Sequence, residues 1–195
     1  MKPVWLALLF CAWAFGLSFG MTRLVRYEGV AGTPARAPDS WPEQTSLPLD
    51  AARPTLVMFA HPRCPCTRAS IGELAILVSK LQGKVTTHVV FAKPAGTAPG
   101  WEQTDQLTGA ARIPGVEVHV DAGGRSAERF GARTSGQVLL YSPSGRLLFS
   151  GGITGARSHM GDNAGLDRIV SIVRTGDESR RTSAVFGCPI FGEKS

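Results

Sequence analysis

Two cysteines flank one proline at Cys64-Pro65-Cys66, within the stretch FAHPRCPCTRAS from Phe59 to Ser70. Thiols this close can cycle between dithiol and disulfide, clip a soft metal ion, or sit as two buried apolar side chains. Two further cysteines complete the set: Cys11 in an apolar N-terminal segment, where it reads as an inert lipid-facing residue, and Cys188 near the C-terminus. Outside the apolar segment this leaves one pair and one spare thiol. An odd set is not a stapling framework and fits a working redox or metal site.

The neighbouring residues place the pair. Thr55 to Ala60, TLVMFA, is a short β-forming apolar run. Ile71, Leu74, Ala75, Val78 and Leu81 then recur at helical spacing, and Gly83 is positioned to end that helix. Lys84 to Ala92 reads as a second strand, so the two strands pair in parallel across a right-handed connection. The cysteines therefore lie at a strand-to-helix junction, with Cys64 at the helix start. A thiol there meets unpaired backbone N–H groups and the positive end of the helix dipole, which favour the thiolate. Arg63 and Arg68 add positive charge if they point inward. Cys64 is the expected nucleophile and Cys66 the resolving or second thiol. A Cys64–Cys66 disulfide would close a very small ring, stiffened by Pro65, and a strained disulfide is easily reduced. The competing pairing joins one of them to Cys188.

Beyond a Pro/Gly-rich loop at 94–100, the pattern predicts a short helix from about Trp101 to Arg112, a strand over Gly115 to Asp121 and a helical turn over Ser126 to Phe130. A β-hairpin follows from Gly136 to Gly152, turning at Ser142-Pro143-Ser144-Gly145. Leu166, Ile169, Val170 and Val173 mark a last helix, with Asp162 or Asn163 as its cap and Gly176 at its end. This order makes the last strand parallel to the first. The loop from Gly151 to Asn163 then lies beside the cysteines, with Arg157 or His159 in reach of Cys64 or Cys66. His159 is a proton carrier or metal ligand on one reading and a plain loop residue on another. Cys64, Cys66 and His159 together would suit Cu(I). His61 lines the cysteine loop, and His88 and His119 alternate with valines as ordinary strand residues. The twelve residues from Gly176 to Gly187 can span ~40 Å, enough for Cys188 to return along the domain.

The 195 residues suit one domain plus extra segments, and 43% apolar with 18% charged residues suits a folded chain. The net charge of +6 comes without a Lys/Arg run or interleaved aromatics, which argues against a nucleic-acid site. Val4 to Met21 carries no charge over 18 residues, long enough for a membrane-spanning helix. The alternative is a cleaved signal, with small residues only at Ala35-Arg36-Ala37. The expected layout is an anchor at 1–22, a Pro-rich tether at 23–54, an α/β domain at 55–176 and a tail at 177–195. Lys2 and the terminal amine precede the span while Arg23 and Arg26 follow it, so charge does not favour export. The domain is placed outside the cytoplasm, in a bacterial inner membrane, because a single N-terminal span before a thiol-bearing domain is the usual extracytoplasmic layout.

The strand order and the Phe59–Thr67 stretch resemble the thioredoxin-like superfamily: a mixed central sheet flanked by helices, β-α-β, a helix–strand–helix insert, then β-β-α. Laid on the pattern Phe-Trp-Ala-x-Trp-Cys-x-Pro-Cys, Cys64 takes the place of the family nucleophile. Cys66 falls one position early, and Thr67 stands where the second cysteine would be. Where the family has a cis-proline before the hairpin, this chain has Thr134-Ser135-Gly136-Gln137. FAHPRCPCTRAS, TSGQVLLY, GGITGARSHMGDNAG and VFGCPIF more closely resemble the membrane-anchored RedB-type thioredoxin-like bacterial proteins. The resemblance implies an extracytoplasmic thiol–disulfide oxidoreductase with Cys64, Cys66 and Cys188 as its catalytic thiols and an undefined thiol or disulfide protein as partner. Arg63, Thr67, Arg68, Arg157 and His159 would support the site, with no cofactor. The alternatives are a Cu(I)-binding or delivery module, as in the Sco-type thioredoxins, and a non-catalytic scaffold.

Overall fold

The computed structural model describes residues 2–191; Met1, the end of the expected tail, 192–195, and the side chains of Lys2 and Pro3 lie outside the described residues. A helix, α1 (Lys2–Gly29), precedes a five-stranded mixed sheet. In chain order the rest is β1 (Thr55–Ala60), α2 (Pro65–Leu81), β2 (Thr86–Lys93), α3 (Asp105–Ala111), β3 (Val116–Ala122), α4 (Arg125–Arg129), β4 (Gln137–Tyr141), β5 (Leu147–Gly151) and α5 (Ala164–Thr175). The sheet order is β3-β2-β1-β4-β5. β1 pairs in parallel with β2, and β2 with β3; β4 is antiparallel to both β1 and β5. β1 is central and buried along its whole length, as its unbroken apolar run requires.

One face of the sheet packs Leu56, Met58, Val89, Phe91 and Leu140 against Leu74, Leu77 and Leu81 of α2 and Leu166, Ile169 and Ile172 of α5. On the other face Val57, Phe59, Val90, Leu139 and Tyr141 meet Phe130 and a chain segment from before β1. That segment, expected as a tether, is extended but not free. Trp41 sets its ring edge-on to Phe130 at 5.0 Å and to Tyr141 at 5.2 Å, and Leu47 is buried. Backbone bonds from Trp41 to the Gly145 carbonyl and from Leu147 to the Asp39 carbonyl bind it to the hairpin. Prolines forbid regular structure there, but Trp41, Leu47 and Leu49 still have an apolar sheet face to cover.

Several element ends differ from expectation. α1 runs to Gly29, past the charge-free stretch, because nothing from Thr22 to Glu28 breaks a helix. α3 starts only after Thr104, whose hydroxyl accepts the Leu107 N–H, since Gly100 to Gln103 form a turn. α2 ends one residue early, at Gln82 in the left-handed region, with Gly83 continuing the turn at φ 76°. Asn163, not Asp162, caps α5: its side chain accepts the Leu166 N–H at 2.8 Å.

Candidate active site

Cys64 is the N-cap of α2 and Pro65 its first helical residue, where a missing N–H costs nothing. The Cys64 carbonyl accepts the Thr67 N–H and, at 3.0 Å, the Gln106 side chain from α3. Cys64 and Cys66 are both buried, at 1% and 5% exposure. Burial alone would raise the Cys64 pKa. Hydrogen bonding outweighs it: the Cys188 thiol and N–H contribute most, then the Cys66 N–H and the Thr67 hydroxyl, and the net shift is downward. Cys188 is pushed up to about 12, by burial first, then by bonding to Cys64 and by the charge of the other two thiols, with Arg157 opposing. Between those values the pair holds one proton, which favours a Cys64 thiolate beside a Cys188 thiol.

The tail brings Cys188 to this pole. After α5 it runs alongside β5, with a parallel bridge from Ser150 to Thr182 and a bond from the Gly152 N–H to the Ala184 carbonyl. It then crosses the pole and pairs with the segment before β4. The Ser135 N–H donates to the Cys188 carbonyl at 2.8 Å, and the Ile190 N–H to the Arg133 carbonyl at 2.9 Å. Gly187 lies so close to the Ser135 carbonyl that a Cβ there would collide with it. The Ser135 hydroxyl faces the other way, accepting the His61 N–H at 2.9 Å and meeting the Thr67 hydroxyl at 2.7 Å. Thr67 thus ties the tail-bearing segment to the cysteine loop, also donating to the His61 carbonyl.

The remaining site residues separate. Arg63 stacks over Trp101 at 4.8 Å and donates to its carbonyl, and the exposed Arg68 pairs with Asp105. Neither has its guanidinium directed at the thiols, so hydrogen bonds rather than arginines depress Cys64. The Gly151–Asn163 loop does lie at the cysteine pole, clamped by the buried Glu73 carboxylate, which accepts the Gly161 N–H at 2.6 Å and the Asn163 amide at 3.2 Å. Ser158, unremarked in the sequence, places its hydroxyl 3.5 Å from the Cys66 sulfur. Arg157 reaches the Gly187 carbonyl at 2.6 Å, the Val30 carbonyl at 3.2 Å and the Tyr27 ring. His159 is exposed, with Nδ1 3.0 Å from the Arg157 carbonyl. The His61 imidazole has its pKa lowered by burial and by Arg63, and meets Trp101 edge-on. Only the Gly-rich composition of the loop hinted at close packing here; Ser158 and Ser135 carry no sequence signal of their own.

No family model matches the chain, and no curated protein aligns with it. Among solved structures, a hypothetical protein from Sinorhizobium meliloti 1021 superposes with a TM-score of 0.60 at 21% identity, covering 83% of this chain and 93% of that one. An uncharacterized conserved protein from Geobacillus kaustophilus gives 0.61 at 13% identity, over 86% and 93%. A secreted Mycobacterium tuberculosis disulfide oxidoreductase homologous to DsbE of E. coli also aligns, at 0.45 and 15% identity, over 64% of this chain and 82% of that one. These likenesses are of fold. With its β3-β2-β1-β4-β5 order, parallel β1-α2-β2 unit, α3-β3-α4 insert and closing β4-β5-α5, the domain has a thioredoxin-like fold.

Proposed function

We propose that the chain is a membrane-anchored thiol–disulfide oxidoreductase, with its domain outside the cytoplasm, in which Cys64 attacks and Cys188 resolves. One observation carries the reading: the Cys64 sulfur sits at the start of α2 among donors that depress its pKa, and one of them is the thiol of Cys188. The Cys64 thiolate attacks a substrate disulfide, forming a mixed disulfide and releasing one substrate thiolate. Cys188, as thiolate, then attacks the Cys64 sulfur; the second substrate thiol leaves and takes up the proton that Cys188 gave up. Two electrons pass from the protein dithiol to the substrate, and the reverse sequence oxidises. Cys188 is a better resolver than Cys66 because a Cys64–Cys66 ring is small and stiffened by Pro65, and the Cys66 sulfur already faces Ser158. Anchoring is supported by α1, in which an 18-residue stretch has a mean hydropathy of 1.9 and is unburied. A signal sequence passes the same test, and carbonate extraction of membranes separates the two: an anchored chain stays in the pellet.

Turnover of glutathione disulfide by cysteine variants tests the chemistry. Cys64→Ser should abolish it, and Cys188→Ser should accumulate a mixed disulfide on Cys64, seen by intact mass. Cys66→Ser should keep at least about a tenth of the rate, a loss below ~1.4 kcal/mol in barrier. A mixed disulfide that accumulates in Cys66→Ser instead would assign resolution to Cys66. Tight Cu(I) binding by the reduced chain without turnover would replace the proposal with copper delivery through Cys64 and Cys66, and neither property would leave a scaffold.

A further inference from the structure

His88 and His119 do not behave as the ordinary strand residues their alternation with valine suggests. His88 on β2 registers opposite Glu117 on β3, and His119 lies two residues further along the same face of β3. The three side chains converge. His88 Nδ1 lies 3.0 Å from His119 Nε2 and 3.5 Å from a Glu117 carboxylate oxygen, which is 3.9 Å from His119 Nε2. The point equidistant from these three atoms lies about 2.0 Å from each, the length of zinc–imidazole and zinc–carboxylate bonds, about 2.0–2.2 Å.

Burial sharpens the case. His88 is fully buried, and its other ring nitrogen, Nε2, has no hydrogen bond of ordinary geometry. A neutral His88 with its proton on Nε2 leaves the Nδ1 lone pair free for a metal. His119 and Glu117 are partly exposed, at 31% and 64% of their side chains, so the cluster opens to solvent on one side. β3 is an edge strand, and an ion here would bridge it to β2.

We propose that His88, Glu117 and His119 form a divalent transition-metal site, best matched to Zn2+, with water in the fourth position. Two imidazoles and one carboxylate are a borderline donor set that suits Zn2+ better than the hard cations Ca2+ or Mg2+. The site shares no residue with the cysteine pole and stands whether or not the thiols are catalytic.

The test is calorimetric titration of Zn2+ into the full-length chain in detergent, with Cys11, Cys64, Cys66 and Cys188 changed to serine so that no thiolate can bind the ion. The expected result is one Zn2+ per chain with micromolar or tighter affinity. His119→Ala and Glu117→Gln should each weaken it tenfold or more, as should lowering the pH enough to protonate the imidazoles. Glu117 is exposed enough that its change leaves folding intact, and circular dichroism checks both variants. Zinc should also raise the melting temperature of the four-serine chain, and less so that of Glu117→Gln. No binding at 100-fold excess Zn2+ over micromolar protein, or affinity altered less than tenfold by Glu117→Gln, would overturn the site.

Discussion

Thr67 occupies the position where a thioredoxin-like site would hold its second thiol, and here it acts through its hydroxyl. It is one of the groups lowering the Cys64 pKa, and it binds Ser135 and the His61 carbonyl. Thr67→Val keeps the shape and removes that donor. The Cys64 pKa should rise, read from the pH dependence of iodoacetamide alkylation in the chain with the other cysteines changed to serine. An unmoved pKa would take Thr67 out of the account. The two coupled thiols also set a pH dependence of stability in the reduced protein. Cys64 is depressed from its ordinary 9.0, so its contribution is fully present above that value and is lost as pH falls through its folded pKa. Cys188 is raised from 9.0 to about 12, so its contribution is fully present below 9.0 and is lost as pH climbs toward 12. Their joint contribution peaks near pH 9. The urea midpoint of the reduced chain, minus that of Cys188→Ser, should fall between about pH 9 and 11; a difference that grows over that range would contradict the pairing.

Among the elements, the tail is the one expected to control access to Cys64. Segment 187–190 carries Cys188 and occupies the Ser135 N–H and the Arg133 carbonyl. Gly187→Ala forces its Cβ into the Ser135 carbonyl and should loosen the segment. In reduced chains retaining Cys64 and Cys188, the Cys64 alkylation rate at its high-pH plateau should rise severalfold, while its pKa rises as Cys188 withdraws. An unchanged plateau would mean that the tail is no barrier. Chain order, hydrophobic period and cap residues made the sheet elements legible from sequence: TLVMFA as a short buried strand, the hairpin at Ser142–Gly145, and the cysteines at a helix start. The tail path was not legible, because residues 177–187 have no period and are held by backbone bonds to β5, which any sequence can make. The segment from Tyr27 to Pro54, a strap across one sheet face, reads from sequence as a semi-extended tether because its prolines are conspicuous, while Trp41, Leu47 and Leu49 are too sparse for a period. The direction of Arg63 is left open by the sequence, because its partner, Trp101, lies 38 residues away. The His88–Glu117–His119 cluster needed the β2–β3 register; the one local hint was that Glu117 and His119 share a strand face.

At the scale of the whole molecule, the strap should contribute measurably to stability. Burying Leu47 and packing Trp41 between Phe130 and Tyr141 is worth roughly 3–5 kcal/mol. A chain lacking residues 1–49 should therefore melt about 10 °C or more below one lacking only 1–29; equal melting temperatures would show the strap to be dispensable. The strap also changes what the anchor does. A free 28-residue tether, Tyr27 to Pro54, would let a domain wander roughly 30 Å from the bilayer. Here Arg157 holds the Val30 carbonyl and stacks on Tyr27, and its N–H meets the Glu28 carbonyl, so the last turn of α1 is joined to the loop beside Cys66. With α1 in a membrane, the sulfurs do not sweep a volume; they are moored at its surface. On the proposed function, such a protein would meet a partner by lateral diffusion in two dimensions, and the disulfides open to it would be those carried close to the lipid headgroups.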